Sequence, residues 1–171
     1  MWMALAAITM LFAAFTSAMV VHKGLSNSWV PTALPRILGF NTLVLLASSG
    51  TFELSRRAMR AGLRQKFLVW LYLTLGLGAA FILGQLYAWC QLALRGVYLA
   101  TNPSSSFFYV LTAAHGIHLL GGIAALAFLV ARVRRLGDVR QKKLAIDVTA
   151  MYWHFMSGLW IYLFILLSVR V

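Results

Sequence analysis

Five long apolar runs dominate this chain of 171 residues. They cover about 2–21, 37–55, 67–90, 107–131 and 147–169, and a helix needs about 20 residues to cross a hydrocarbon core. Within lipid, only helices and closed barrels satisfy their own backbone groups, and these runs are continuous rather than alternating. The sequence therefore predicts an all-α integral membrane protein, with a single domain over 1–171 that forms a five-helix transmembrane bundle.

The placement of charge predicts the orientation of this bundle. The chain has 15 Lys and Arg residues against 3 acidic ones, a balance that would favour nucleic-acid binding in a soluble protein. However, 62% of the residues are hydrophobic, and eleven of the 15 basic residues lie in the gaps at 56–66 and 132–143. Because basic loops stay on the cytoplasmic side, we expect a cytoplasmic N-terminus, a periplasmic C-terminus and no nucleic-acid partner.

The first run is expected to remain as a helix. A signal peptide would require a Lys or Arg before this run, and none is present there. Four more spans follow it.

Histidines inside the apolar runs are the first candidate functional residues. His115 and His118 lie three residues apart in the fourth run, and His154 lies in the fifth. Ionisable groups at membrane depth are costly and tend to face a bundle interior with a partner. The estimated depths of His118 and His154 are similar, so we expect them to share a polar pocket with lipid headgroups, water or side chains such as Gln85.

The ligand count argues against a metal or haem site in this chain. The membrane part supplies three histidines, a cysteine near a helix end (Cys90) and no carboxylate near the midplane. His115 and His118 cannot both be axial ligands of one haem from a single helical turn. No nucleophile, base and acid are grouped for catalysis, so we expect no cofactor, metal or catalytic centre within the chain.

The second run carries a polar face. Its polar residues repeat at about seven residues, which predicts hydrogen bonds to neighbouring helices: Asn41, Thr42, Ser48, Ser49 and Thr51. Glu53 is followed by Arg57 at i+4, the favoured order for a helical ion pair. The same carboxylate could also handle protons.

Two further patterns concern helix packing. Gly76, Ala80 and Gly84 lie at intervals of four residues, which predicts a close helix contact along the third run. Asp147 stands where the fifth run begins, and we expect it to cap that helix.

Four blocks of the sequence resemble subunit III of the haem-copper respiratory oxidases. The fourth run contains FFYVLTAAHGIHLLGG and the fifth YWHFMSGLWIYLF, similar to the family patterns F-Y-x-L-T-x-x-H-G-x-H-x-x-x-G and Y-W-H-F. Upstream, NTLVLLASSGT and WLYLTLGLGAAFILGQLYAW resemble two further blocks of that family. Together the blocks cover about three quarters of the chain, in the family's order.

The resemblance implies a non-catalytic component of a proton-pumping terminal oxidase in a bacterial inner membrane. Such a subunit packs on the catalytic subunit I, holds phospholipid in a cleft between two groups of helices, and supports proton uptake and stability during turnover. Haem and copper belong to the partner subunits. The positions that match the family pattern are Asn41, Ser49, His115, His118, Gly122, Tyr152, Trp153 and His154. All of these except Gly122, together with Gln85, form the expected lipid-binding or structural polar seam.

The chain also departs from the family pattern. It has five spans where longer members have seven, and Ile8 and Ser157 stand where many relatives carry carboxylates. These losses favour a scaffolding and lipid-holding role over a direct proton relay. Whether the electron donor is cytochrome c or quinol stays open.

Two alternatives accompany this interpretation. An accessory subunit of a nitric oxide reductase also has five spans and resembles subunit III. A small membrane transporter would belong to another class, but it is expected to carry a symmetric pair of broken helices, and none is visible.

Overall fold

The computed structural model describes residues 2–25, 35–99, 102–135 and 143–170. Within these residues the chain forms five α-helices, each long and apolar enough to cross a membrane: α1 (Trp2–Leu25), α2 (Ile37–Arg60), α3 (Arg64–Leu94), α4 (Pro103–Arg135) and α5 (Lys143–Arg170). The predicted all-helical class and five spans are confirmed. Part of the second basic gap, residues 136–142, lies outside the described residues.

Each helix extends beyond its apolar run. The prediction ended the second helix at 55 and began the fourth at 107, but α2 continues to Arg60 and α4 begins at Pro103. Charged and polar residues at membrane depth are costly, whereas a helix can continue past the hydrocarbon boundary with its charged side chains in the headgroup region. Hydropathy therefore located the membrane spans but underestimated the lengths of the helices.

The start of α4 shows why the fourth boundary was wrong. Asn102, Pro103 and the serines that follow are residue types that favour turns, and the predicted fourth run begins only after them. Instead, the Ser105 backbone N–H donates to Asn102 Oδ1 at 2.9 Å, and the Asn102 N–H donates to Ser105 Oγ at 3.2 Å. Asn102 is thus an N-cap with a reciprocal bond from the third helical residue, and Pro103 occupies the first helical position, where its missing N–H costs nothing.

Glycines close the C-terminal ends of α2 and α3. Gly62 (φ 73°) and Gly96 (φ 75°) have left-handed backbones, and the residue after each donates its N–H back to the helix: Leu63 to the Ala58 carbonyl and Val97 to the Leu92 carbonyl, both at 3.0 Å. This is the Schellman arrangement, which satisfies carbonyls at the helix end. Only Ala61, Gly62 and Leu63 separate α2 from α3, so these helices form an antiparallel hairpin.

The buried face of each helix in the hairpin follows intervals of three and four residues. In α3 the buried residues are Phe67, Leu71, Thr74, Gly78, Phe81, Gln85, Ala88 and Leu92. This spacing is typical of left-handed bundles, in which side chains interlock along nearly parallel helices. The predicted four-residue seam is wrong for packing within this chain, because Gly76 and Ala80 are exposed and a Cβ on Gly76 would meet nothing within 4 Å.

The helices form a four-helix core with α1 beside it. α2 packs most extensively on α3, α5 contacts both α2 and α4, and α4 also contacts α3. α1 packs mainly on α4. The core therefore has α2 and α4 on opposite sides, with α3 and α5 joining them.

Candidate functional site

Trp153 of α5 lies at the centre of the four-helix core. Its side chain is fully buried, and its indole N–H donates to Ser48 Oγ of α2 at 2.8 Å. A Cβ on Gly78 of α3 would come within 2.7 Å of the indole, and one on Gly122 of α4 within 3.5 Å. One aromatic ring thus fills the space between four helices, and Gly78 leaves room for it.

The three consecutive residues at the start of the Y-W-H-F motif bond to two neighbouring helices, α2 and α4. The Tyr152 hydroxyl donates to the His118 carbonyl of α4 at 2.8 Å, and His154 Nδ1 hydrogen-bonds Ser49 Oγ of α2 at 2.5 Å. Trp153 lies between them. Because successive residues of a helix are about 100° apart, the three side chains leave α5 in different directions. These residues of the predicted seam therefore bond to partners on both α2 and α4.

His118 and His154 do not come together. His118 Nδ1 donates to the Ala114 carbonyl of its own helix at 2.7 Å, and its ring lies 5.9 Å from that of Phe12 of α1. His154 contacts α2, where its ring lies 6.3 Å from that of Phe52. The prediction of a shared pocket is wrong, because similar depth does not place two residues on facing sides of their helices.

His115 has a different environment from its neighbour in the motif. It is fully buried, with its ring 5.0 Å from Trp160 of α5 and 5.9 Å from Phe81 of α3. Neither ring nitrogen has a hydrogen-bond partner among the described residues. Lipid headgroups cannot reach this residue inside the chain.

Two amide side chains occupy the α3 interface. Asn41 of α2 is buried, and its Nδ2 donates to the Phe81 carbonyl at 3.2 Å, while a Cβ on Gly84 would overlap the same amide group. Gly84 therefore belongs to a close contact, but with a side chain of α2 and not through a row of small residues. Gln85 is also buried, with no partner for either of its polar atoms among the described residues.

The remaining polar residues of α2 also bond other helices. The Trp160 indole N–H donates to Thr42 Oγ1 at 3.0 Å, Thr51 Oγ1 lies 2.9 Å from Thr74 Oγ1, and Ser55 Oγ donates to the Phe67 carbonyl at 3.1 Å. In transmembrane bundles each such bond contributes on the order of 0.6 kcal/mol. The polar face of α2 thus binds α3 and α5, as its seven-residue spacing indicated.

An ion cluster joins α2 to α5 near one end of the bundle. Arg56 contacts Glu53 at 2.8 Å and Asp147 of α5 at 2.7 Å. The expected Glu53–Arg57 pair is present only at 3.8 Å, and the Arg57 side chain is 73% exposed. His154 Nε2 lies 3.9 Å from Glu53. Arg56 is therefore the central residue of the cluster.

Sequence reasoning missed Arg56 and misassigned Asp147. Asp147 does not cap α5, because that helix begins four residues earlier at Lys143. The helix ranges would have indicated this contact, because α2 and α5 run in opposite directions. Arg56 lies four residues before the end of α2, and Asp147 lies four residues after the start of α5, so the two residues are at the same level.

An apolar cleft separates α1 from α5. Its volume is about 430 Å³, and its lining is mostly apolar: Thr9, Phe12, Ala13, Phe155, Gly158, Leu159 and Tyr162. The Tyr162 hydroxyl donates to Thr16 Oγ1 at 3.1 Å and so joins the two helices beside the cleft. Within the part of the chain that the structure describes, no three His, Cys, Asp or Glu side chains are grouped to hold a metal ion.

Comparison with known proteins explains the motifs. The family model for cytochrome c oxidase subunit III matches residues 3–169. The chain belongs to the cytochrome c oxidase subunit III family. It is 30% identical to cytochrome c oxidase subunit 3 of Synechocystis over 95% of this chain and 70% of that protein. It is also 31% identical to the protein of that name from Thermostichus vulcanus, over 94% of this chain and 81% of the relative.

Subunit III relatives also include a quinol oxidase component. Quinol oxidase subunit 3 of Bacillus subtilis is 28% identical over 95% of this chain and 81% of that protein. Both positions at which the subunit III resemblance led us to expect a carboxylate lie in the packed interior. Ile8 is 8% exposed, and the buried Ser157 donates to the Trp153 carbonyl at 3.0 Å.

Proposed function

We propose that this member of the subunit III family is a non-catalytic component of its haem-copper oxidase. It packs against the catalytic subunit I, holds phospholipid, and supports proton uptake and stability during turnover. Its orientation places the N-terminus in the cytoplasm and the C-terminus in the periplasm of a bacterial inner membrane, with haem and copper in the partner subunits.

The hydrogen-bonded core supports the scaffolding part of this proposal. Polar side chains of α2 bond α3 and α5, and Trp153 is wedged among the four core helices. These groups serve to join helices and do not converge on one reaction centre. A bundle joined in this way presents a fixed outer surface to a neighbouring subunit.

The α1–α5 cleft carries the lipid-binding part. Its lining comes from the middle of both helices and is almost entirely apolar, so its natural occupant is an acyl chain rather than a headgroup. The volume of about 430 Å³ falls within the range of roughly 300–1,000 Å³ that is usual for small-molecule sites. A chain held there would fill the gap beside α1, which packs mainly on α4.

The ion cluster supports a role at the proton-uptake side. In the proposed orientation, Glu53, Arg56 and Asp147 lie at the cytoplasmic ends of α2 and α5, and His154 lies about two turns of α5 further in. Arg56 contacts both carboxylates there, near the surface from which an oxidase takes protons.

Filling the cleft tests the proposal. A Cβ on Gly158 would meet nothing within 4 Å, so Gly158→Leu can enter the cleft without displacing a helix. The purified oxidase should then retain less phospholipid by native mass spectrometry and lose activity sooner during turnover. Gly121→Leu, on the exposed side of α4 and equally free of clashes, is the matched control. Equal lipid content and equal turnover lifetime in both variants would contradict the proposal.

A further inference from the structure

The interface between α3 and α4 contains four buried polar atoms that lack a hydrogen-bond partner among the described residues. They are the side-chain oxygen and nitrogen of Gln85 and the two ring nitrogens of His115. Gln85 is 3% exposed and His115 is 0% exposed, so neither lipid nor a partner subunit can supply the missing bonds. Buried polar groups are paired in most proteins, because an unpaired one retains its full desolvation penalty.

The two side chains lie at similar levels of the bundle. Gln85 is nine residues before the end of α3, and His115 is twelve residues after the start of α4. At 1.5 Å per residue these positions are ~14 Å and ~18 Å from the end at which the two helices are connected. Helical side chains tilt towards the N-terminus of their own helix, and the two helices are antiparallel, so the two side chains lean towards each other.

Contacts on both sides of Gln85 show that this face of α3 meets α4. One turn before Gln85, the Phe81 ring lies 5.9 Å from the His115 ring. One turn after it, the Trp89 indole N–H donates to Thr112 Oγ1 at 3.1 Å. Gln85 therefore lies in the same interface as His115, between these two contacts.

The neighbouring donors are already committed. Besides Trp89, the Trp160 indole lies beside His115, but its N–H donates to Thr42 Oγ1. The Thr112 hydroxyl donates to the Phe108 carbonyl at 2.7 Å. These three side chains therefore cannot donate to Gln85 or His115 without breaking bonds of their own.

The chemistry of the four atoms defines the missing partner. An amide offers both donors and an acceptor, and a neutral imidazole offers one of each, so the partner must both donate and accept. The rings beside His115, Phe81 and Trp160, carry no charge that would hold an anion, and the described residues contain no grouped set of metal ligands. A water molecule has two donors and two acceptors and is small enough for a packed interface.

We propose that Gln85 and His115 together bind at least one internal water molecule between α3 and α4. The site is independent of the lipid cleft, which lies between α1 and α5. Its role is to join α3 to α4 through a bridging molecule. The polar side chains of α2 bond α3 and α5, and so they do not join α3 to α4.

Electron cryo-microscopy of the whole oxidase, at a resolution that shows ordered water, tests the proposal directly. We expect a separate density within hydrogen-bond distance of a Gln85 amide atom and of a His115 ring nitrogen, and its loss in Gln85→Met. A direct bond between the amide and the imidazole, with no density between them, would overturn the proposal. A density too large for water would also overturn it, in favour of another ligand.

A thermal double-mutant cycle on the same oxidase gives an independent measurement. Gln85→Met and His115→Leu should each lower the temperature at which half of the subunit dissociates. The double variant should lower it by less than the sum, because no unpaired partner is left behind. Gln91→Met, at a partly exposed position of the same helix, should be additive with His115→Leu. Additivity between Gln85→Met and His115→Leu would show that the two groups share no partner.

Discussion

Gly78→Ala should destabilise the subunit because the new methyl group would meet the central indole. A Cβ at Gly78 would lie 2.7 Å from Cη2 and 3.0 Å from Cζ2 of Trp153, both closer than normal van der Waals contact. The ring cannot move aside easily, since its N–H is bonded to Ser48 and its opposite side faces Gly122. Overpacking of this kind costs about 1–3 kcal/mol.

Gly76→Ala is the matched control on the same helix. Its Cβ would meet nothing within 4 Å, so only the helix propensity changes, and replacing Gly by Ala stabilises a helix by up to about 1 kcal/mol. Gly78→Ala gains the same propensity term, so the two variants should differ by about 1–3 kcal/mol. For a chain of this size that corresponds to about 2–4 °C in melting temperature for each kcal/mol.

The assay is the heating of purified oxidase in detergent, followed by measurement of the fraction of subunit that stays with the complex. In a Trp153→Phe background the shorter ring removes the contact, and Gly78→Ala should become as harmless as Gly76→Ala. Two results would contradict the close packing of the Trp153 indole against Gly78. One is an equal stability of Gly78→Ala and Gly76→Ala in the otherwise unchanged chain, and the other is a penalty of Gly78→Ala that persists in the Trp153→Phe background.

Three further predictions use the same preparation or whole cells. Gly84→Ala should cost about 1–3 kcal/mol, because its methyl group overlaps a buried amide of α2, whereas Gly39→Ala should be neutral or stabilising; equal melting temperatures would contradict this. Arg56→Gln should cost about 1–3 kcal/mol and Arg57→Gln about 0–1 kcal/mol, because only Arg56 has close contacts to two carboxylates; a larger loss for Arg57→Gln by thermal dissociation would contradict this. With the native cysteine replaced, an impermeant thiol reagent outside spheroplasts should label Leu99→Cys but not Ala61→Cys, and the reverse pattern would invert the proposed topology.

The errors in the predicted helix boundaries have a common origin at the helix ends. Asn102 and Pro103 lie before the predicted fourth run, and although their residue types favour turns, the same types favour the first positions of a helix. Asp147 was assigned to a helix start because hydropathy rises there, whereas α5 had already begun at Lys143. Composition gives the apolar part of a transmembrane helix, and capping contacts decide where the helix itself stops.

Some of the interior was predictable from periodicity. The seven-residue spacing of Asn41, Ser48 and Ser55 places them on one face of α2, and all three are buried with bonds to other helices. The sequence did not indicate which helix each would contact. The indole N–H groups of Trp160 and Trp153 on α5 donate to hydroxyl groups of α2. No local sequence pattern around either tryptophan identifies its acceptor.

The five spans and the membrane location followed from the sequence alone because a bilayer forces each crossing segment to satisfy its own backbone hydrogen bonds, a requirement that is local to the segment. Only the tertiary structure decided which partners Tyr152, Trp153 and His154 have and which carboxylates Arg56 contacts. It also decided that Gln85 and His115 are buried without a hydrogen-bond partner among the described residues. These features depend on how far each helix is rotated about its axis and shifted along it relative to its neighbours. Those two quantities result from the packing of all the helices together, and no single stretch of sequence contains them.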